Sequence, residues 1–274
     1  MDNEVQQTIK KELEYSGIGL HTGEPIHLVF KPAAVGTGVV FIRRDLPGKP
    51  MVKACPENVN NTLRELSLGK NGAEVRTIEH LLAALSGLGI DNIEISVNGG
   101  ELPIGDGSAL PFVELLKDEI ITQDKPKKVF SPKDPCWVSL EDKHIIILPS
   151  DELRITYTID FDHPVVKAQF ASFVITQEVF VKEIATARTF GFLSEVEILH
   201  AQGLAKGGSL ENAIVIAEDR ILNDNLRFEN ELVRHKILDL IGDFSLLGMP
   251  ISGHIIAIKS GHDLNLKLVQ KLRL

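Results

Sequence analysis

Hydrophobic and polar positions change period several times along this chain of 274 residues. The string NIEISV at 92–97 alternates, putting Ile93, Ile95 and Val97 on one face of a strand. Just before it, TIEHLLAALSGL has helical spacing, with Thr77 expected as N-cap and Gly87 or Gly89 as the stop. Two strand-like segments come earlier, TIKKELEYSGIGLH and EPIHLVFKPA. A turn-rich loop, NGGELPIGDGS, leads on to a second helix, ALPFVELLKDEI. The latter half repeats this order. CWVSL, HIIILPS and LRITYTIDF read as strands, and ENELVRHKILDLIGDFSLLG as a long helix. GHIIAIK (253–259) reads as a strand, SGHD as a loop and LNLKLVQKL as a closing helix.

The polar, proline-containing stretch Gln123 to Lys128 separates the halves, predicting a boundary there and domains over 1–124 and 125–274. Each half reads strands, helix, strand, loop, helix, a duplication of pattern. Extra material falls at 41–75 and at about 186–226. Hairpin-connected strands followed by helices predict an α+β fold of two similarly built domains, each a mainly antiparallel sheet with two helices. No GxGxxG or GxxxxGK[ST] string is present, which argues against nucleotide binding of those kinds.

Composition narrows the classes. With 43% apolar and 24% charged residues the chain is an ordinary globular protein, and its net charge of −9 argues against nucleic acid as a partner. Two cysteines, Cys55 and Cys136, are too few and too far apart for a disulfide framework or a cysteine zinc finger. The charged start, MDNEVQQTIKKELE, lacks a signal-peptide core. The longest apolar run, LLAALSGLGI at 81–90, is far shorter than the ~20 residues that span a bilayer. A cytoplasmic location is expected, with transient contact with a membrane surface left open.

The residues that could carry chemistry cluster on the long helix. His235, Asp239 and Asp243 occupy successive i, i+4, i+8 positions, beside an arc of Val233, Ile237, Leu240, Ile241 and Phe244 that should face the core. A solvated His–Asp pair is the plainer explanation of that stripe unless partners come from elsewhere. Glu79-His80 on the earlier helix offers them. Two imidazoles and a carboxylate suit catalytic Zn²⁺ with an open position, although facial-triad iron uses the same set. His262 stands in a glycine loop before a helix, a place for a mobile general acid or for a simple turn. ARTFGF (187–192) sets Thr189 among aromatics, and GLAKGGS (203–209) is a glycine-rich loop.

At this point the chain resembles the UDP-3-O-acyl-N-acetylglucosamine deacetylases of lipid A biosynthesis. The strings that carry the resemblance are SGIGLHTGE (17–24), RTIEHLLAALSGLGIDNIEISVNGGELPIGDGSALPF (76–112), TIDFDHP, ARTFGF, GLAKGGSLENAIV, LRFENELVRHKILDLIGD and KSGHDLN (259–265). Family members often carry a tail beyond the final helix, whereas this sequence ends at Leu274.

The resemblance implies one Zn²⁺ held by His80, His235 and Asp239, with Glu79 as general base and His262 as second catalytic histidine. Thr189 and Lys236 match residues near the reacting carbonyl. Lys143, Asp160 and Phe161 match contacts to the UDP group, with Phe190, Gly208 and Ser209 as further substrate-binding residues. The insertion at about 186–216 would form an apolar acyl passage, with Phe192, Leu193, Ile198, Leu199 and Leu204 as its candidate lining. The implied fold packs the helices between the two sheets. The expected partner is an acylated UDP-sugar, and the expected state a monomer. Asp243 is better placed to keep His262 protonated than to act as a fourth ligand. The rival readings are a zinc amidohydrolase for a different acylated sugar and a non-catalytic α+β binding module.

Overall fold

The computed structural model describes residues 5–273, so residues 1–4 of the charged start and Leu274 lie outside it. The chain builds two five-stranded sheets of the same topology. In the first, the spatial order is Leu13–Ile18, Pro25–Pro32, Ile93–Val97, Val39–Arg43, Met51–Lys53. In the second, it is Cys136–Leu140, Lys143–Leu148, Gly253–Ile258, Leu153–Ile159, Gln169–Val174. In both, the last strand in sequence inserts at the centre, antiparallel to one neighbour and parallel to the other. The α+β class follows. The repeat seen as a pattern of elements is thus also a repeat of strand order.

Alternation decides which face of each sheet is covered. Ile93, Ile95 and Val97 are fully buried, as are Ile145, Ile147, Tyr157, Ile255 and Ala257, while Ile155 and Ile159 are nearly so. The helices are α1 (Glu79–Leu88), α2 (Leu110–Leu116), the short turn α3 (Gln177–Val179), α4 (Leu193–Ala201), α5 (Glu231–Ser245) and α6 (His262–Leu272). Helices α1 and α5 pack directly on each other, and α5 and α6 lie on the second sheet. One continuous core joins the strand faces to Leu81, Leu82, Leu85, Ile237, Leu240 and Ile241.

Several elements differ from the sequence reading. The stretch expected as a linker runs in part as the strand Ile120–Pro126, which pairs antiparallel with Val5–Ile9, because its backbone groups find partners there. Strands Val39–Arg43 and Met51–Lys53 join the first main sheet, so the material at 41–75 is not wholly an insertion. Only Val59–Asn61, Ser67–Lys70 and Ala73–Val75 form a separate small sheet. The strand Gln169–Val174 was not anticipated. Thr77 does not cap α1, since Ile78 takes the N-cap position without a side-chain bond. The closing helix starts at His262, two residues earlier than read.

Candidate active site

The crossing of α1 and α5 makes the site. Gly242 is one reason they come so close: a Cβ there would collide with the backbone of Glu79. The crossing brings the first turn of α1 against the middle of α5. His80, His235 and Asp239, all buried, then offer ligand atoms that lie within 4.8 Å of one another. His235 Nε2 is 3.3 Å and His80 Nε2 is 3.9 Å from Asp239 Oδ1. The Nδ1 of His235 lies 3.0 Å from the Ala187 carbonyl, a bond that protonates this nitrogen and leaves Nε2 a lone pair facing the cluster.

Electrostatics suit such a cluster to a cation. Burial, with His235 alongside, pushes the His80 imidazole down to about 3, so it is a neutral donor of electron pairs. Burial also lowers His235. Burial alone would protonate Asp239, but His235 and Lys236 outweigh it and hold the carboxyl well below the usual carboxylate range. The Lys236 Nζ donates to Asp239 Oδ2 at 2.6 Å. A set of two imidazoles and an ionised carboxylate fits a catalytic Zn²⁺.

Glu79 and His262 flank this cluster. Burial pushes Glu79 up to about 8, while its Oε2 accepts the Leu66 N–H at 3.1 Å. His262 is the first residue of α6, and it is buried rather than set in a free loop. Both its burial and the positive end of the helix disfavour charge. Asp243, lying 2.8 and 3.0 Å from Nδ1 through its two oxygens, reverses this and raises His262 to about 9. The fully buried Asp243 also accepts from Asn265 Nδ2 at 2.8 Å, so it lies behind His262.

A cleft of about 830 Å³ opens above these groups, within the range of small-molecule sites. Thr189, Phe190, Gly208, Ser209, Lys143, Asp160 and Phe161 line it together with Glu79, His80, His235, Lys236, Asp239 and His262. Phe161 packs edge-on against Phe190 and Phe192. Lys259 Nζ sits 2.9 Å from both Asp142 Oδ2 and Asp160 Oδ2. The segment expected as an insertion forms the parallel pair Phe190–Phe192 and Ile214–Ile216, joined through α4.

The family model for UDP-3-O-acyl N-acetylglycosamine deacetylase matches residues 6–273. The chain belongs to this family. A UDP-3-O-acyl-N-acetylglucosamine deacetylase of Oleidesulfovibrio alaskensis is 52% identical over 262 residues, covering 95% of this chain and 86% of the relative. One of Syntrophus aciditrophicus is 48% identical over 269 residues, covering 97% and 85%. One of Marinobacter nauticus is 47% identical over 272 residues, covering 98% and 90%.

The chain departs from its sequence reading at two lining residues. Leu204, past the end of α4, does not line the cleft. Ile198, expected in the acyl passage, is 52% exposed and does not line the cleft, because α4 turns Leu193, Val196 and Leu199 inward instead. Residues given no role beforehand also reach the site: Leu20 and His21 line the cleft, with Thr62 and Arg64 beside them. The string SGIGLHTGE carried that signal without a role attached to its histidine. The Nδ1 of His21 is buried without a hydrogen-bond partner among the described residues, and its Nε2 lies 3.7 Å from Glu65. Buried Glu65 carried no sequence signal, since a lone carboxylate between strands has no periodic partner, and buried Glu101 lies in the string at 76–112 with no role attached.

Proposed function

We propose that this enzyme hydrolyses the N-acetyl amide of a UDP-3-O-(3-hydroxyacyl)-N-acetylglucosamine, releasing acetate and the free-amine sugar nucleotide in lipid A biosynthesis. The observation that carries the reading is the meeting of His80, His235 and Asp239 at the cleft floor, with Glu79 and His262 beside them. The three ligating side chains would hold one Zn²⁺. Bound there, the ion would polarise the amide carbonyl and make water more acidic.

The protein's own groups then divide the proton transfers. Glu79 takes a proton from the attacking water, and a cation held by neighbouring His80 would favour the carboxylate form it needs. His262, kept protonated by Asp243, gives a proton to the departing amine. The Thr189 hydroxyl and the Lys236 ammonium face the oxygen on which charge develops. Phe161, Asp160, Lys143 and Phe190 receive the uridine diphosphate end, and Gly208 and Ser209 border the sugar. Leu193, Val196, Leu199 and Val215 form an apolar passage for the acyl chain.

We divide the chain into domains 1–124 and 125–274, the first carrying Glu79 and His80 and the second His235, Asp239 and His262. Among the described residues, no helix is long and apolar enough to cross a membrane. We place the enzyme in the cytoplasm, acting as a monomer without nucleic acid and touching the membrane surface transiently to exchange its lipid substrate. Bound zinc and acetate release from the acylated UDP-sugar, with and without chelator, test the assignment. Zinc-free chain with chelator-insensitive turnover would overturn it, and acetate release from other acylated sugars alone would overturn the substrate.

A further inference from the structure

Thr77 adopts φ 55°, in the left-handed region that a β-branched residue rarely enters. Glycine would take this φ freely, so threonine carries a steric cost here. Two buried carboxylates hold it. Its hydroxyl lies 3.1 Å from Glu65 Oε2 and 3.4 Å from Glu101 Oε1.

Each carboxylate is anchored in turn. Fully buried Glu101 accepts the His21 N–H at 2.8 Å, the Thr22 N–H at 2.9 Å and the Thr22 hydroxyl at 2.7 Å. A Cβ at Gly19 would collide with the Glu101 carboxylate, so this loop closes tightly on it. Glu65 accepts the Ser67 hydroxyl at 3.2 Å. The Arg76 guanidinium reaches both acids, 3.6 Å from Glu65 and 3.9 Å from Glu101. Two residues after Thr77 comes Glu79, then His80, with no side-chain cap to set where α1 begins.

We propose that Thr77 is a positioning residue for Glu79 and His80, its hydroxyl gripped by Glu65 and Glu101 so that the left-handed turn aims the first turn of α1 into the cleft. Strained backbone persists where its surroundings over-determine it, and it concentrates at functional sites. The inference rests on the zinc deacetylase reading for the roles of Glu79 and His80.

The test compares Thr77→Ser, Thr77→Gly and Thr77→Val with the wild-type enzyme, measuring kcat, KM, Tm and Zn²⁺ affinity by competition with a chelating dye. Thr77→Gly keeps access to the conformation but loses the grip, so it serves even where Thr77→Val fails to fold. Loss of the hydroxyl should lower kcat and weaken Zn²⁺ binding by about 10–100-fold, the range for groups that orient ligands. KM should stay within about threefold, and Thr77→Ser should restore kcat to within about threefold of wild type. Wild-type kcat and Zn²⁺ affinity in Thr77→Gly would overturn the proposal, as would a serine variant as damaged as the valine one. Wild-type enzyme that binds zinc but releases no acetate would instead fail the underlying reading, leaving the affinity comparison to judge Thr77.

Discussion

Glu79 and Asp239 are both buried carboxylates, yet their neighbours drive them apart. Burial lifts Glu79 to about 8, whereas His235 and Lys236 keep Asp239 ionised against its burial. Such a pair separates a proton carrier from a ligand. Glu79→Ala should therefore keep its zinc and lose roughly 10²–10⁴ in kcat. His235→Ala and Asp239→Ala should lose the metal itself. Zinc content and acetate release on the same preparations check this, and equal zinc loss in all three would show Glu79 to be a ligand. His262 provides a second check. In its proposed role it would donate a proton only while protonated, so activity should fall as pH rises through about 9. Asp243→Asn removes the charge that raises this value and leaves burial, which lowers it. The alkaline limb of the kcat/KM profile should then move to lower pH with zinc retained. An emptied metal site with an unmoved limb would make Asp243 a ligand.

At the scale of elements, one helix crossing makes the candidate site. Glu79 and His80 sit on α1, His235, Asp239 and Asp243 on α5, and Gly242 lets the two backbones touch. Gly242→Ala must part the helices, because the obstacle is backbone rather than a movable side chain. Overpacking of this kind costs about 1–3 kcal/mol, so thermal melts should show a lower Tm. Gly261→Ala is the control, since a Cβ there meets nothing within 4 Å and its φ of −160° suits any residue. Equal melting of wild type and Gly242→Ala would mean that the crossing is looser than its geometry.

Across the whole molecule, the α4 segment walls one side of the cleft that both halves floor. Leu199 faces that space and Ile198 faces solvent. Leu199→Asp should raise KM for the long-chain substrate far more than for an analogue lacking the chain, because each buried CH₂ contributes roughly 0.8 kcal/mol. Ile198→Asp should leave both KM values near wild type. A larger effect at Ile198 than at Leu199 would place the acyl chain on the outer face of α4.

The chain's own periodicity determined what depends on neighbours three, four or two positions away. It put His235, Asp239 and Asp243 on one stripe of a helix and Ile93, Ile95 and Val97 on one face of a strand. It also showed the two halves repeating one order of elements, which the shared strand order of the two sheets matches. Strands as short as Met51–Lys53 hold too few residues to display a period, so tertiary pairing alone defined them. The same is true of Ile120–Pro126, whose polar end from Gln123 onward reads as a linker until Val5–Ile9 supplies hydrogen-bond partners. Thr77 looked like a cap because local chemistry favours threonine there. Glu65 and Glu101, brought in from 12 and 24 residues away, hold it in a conformation no local rule selects. The meeting of His80 with His235, 155 positions later, was suggested by their ligand chemistry and by resemblance. Only the close approach of two helices decided it, because a distance between remote residues is set by packing and not by spacing along the chain.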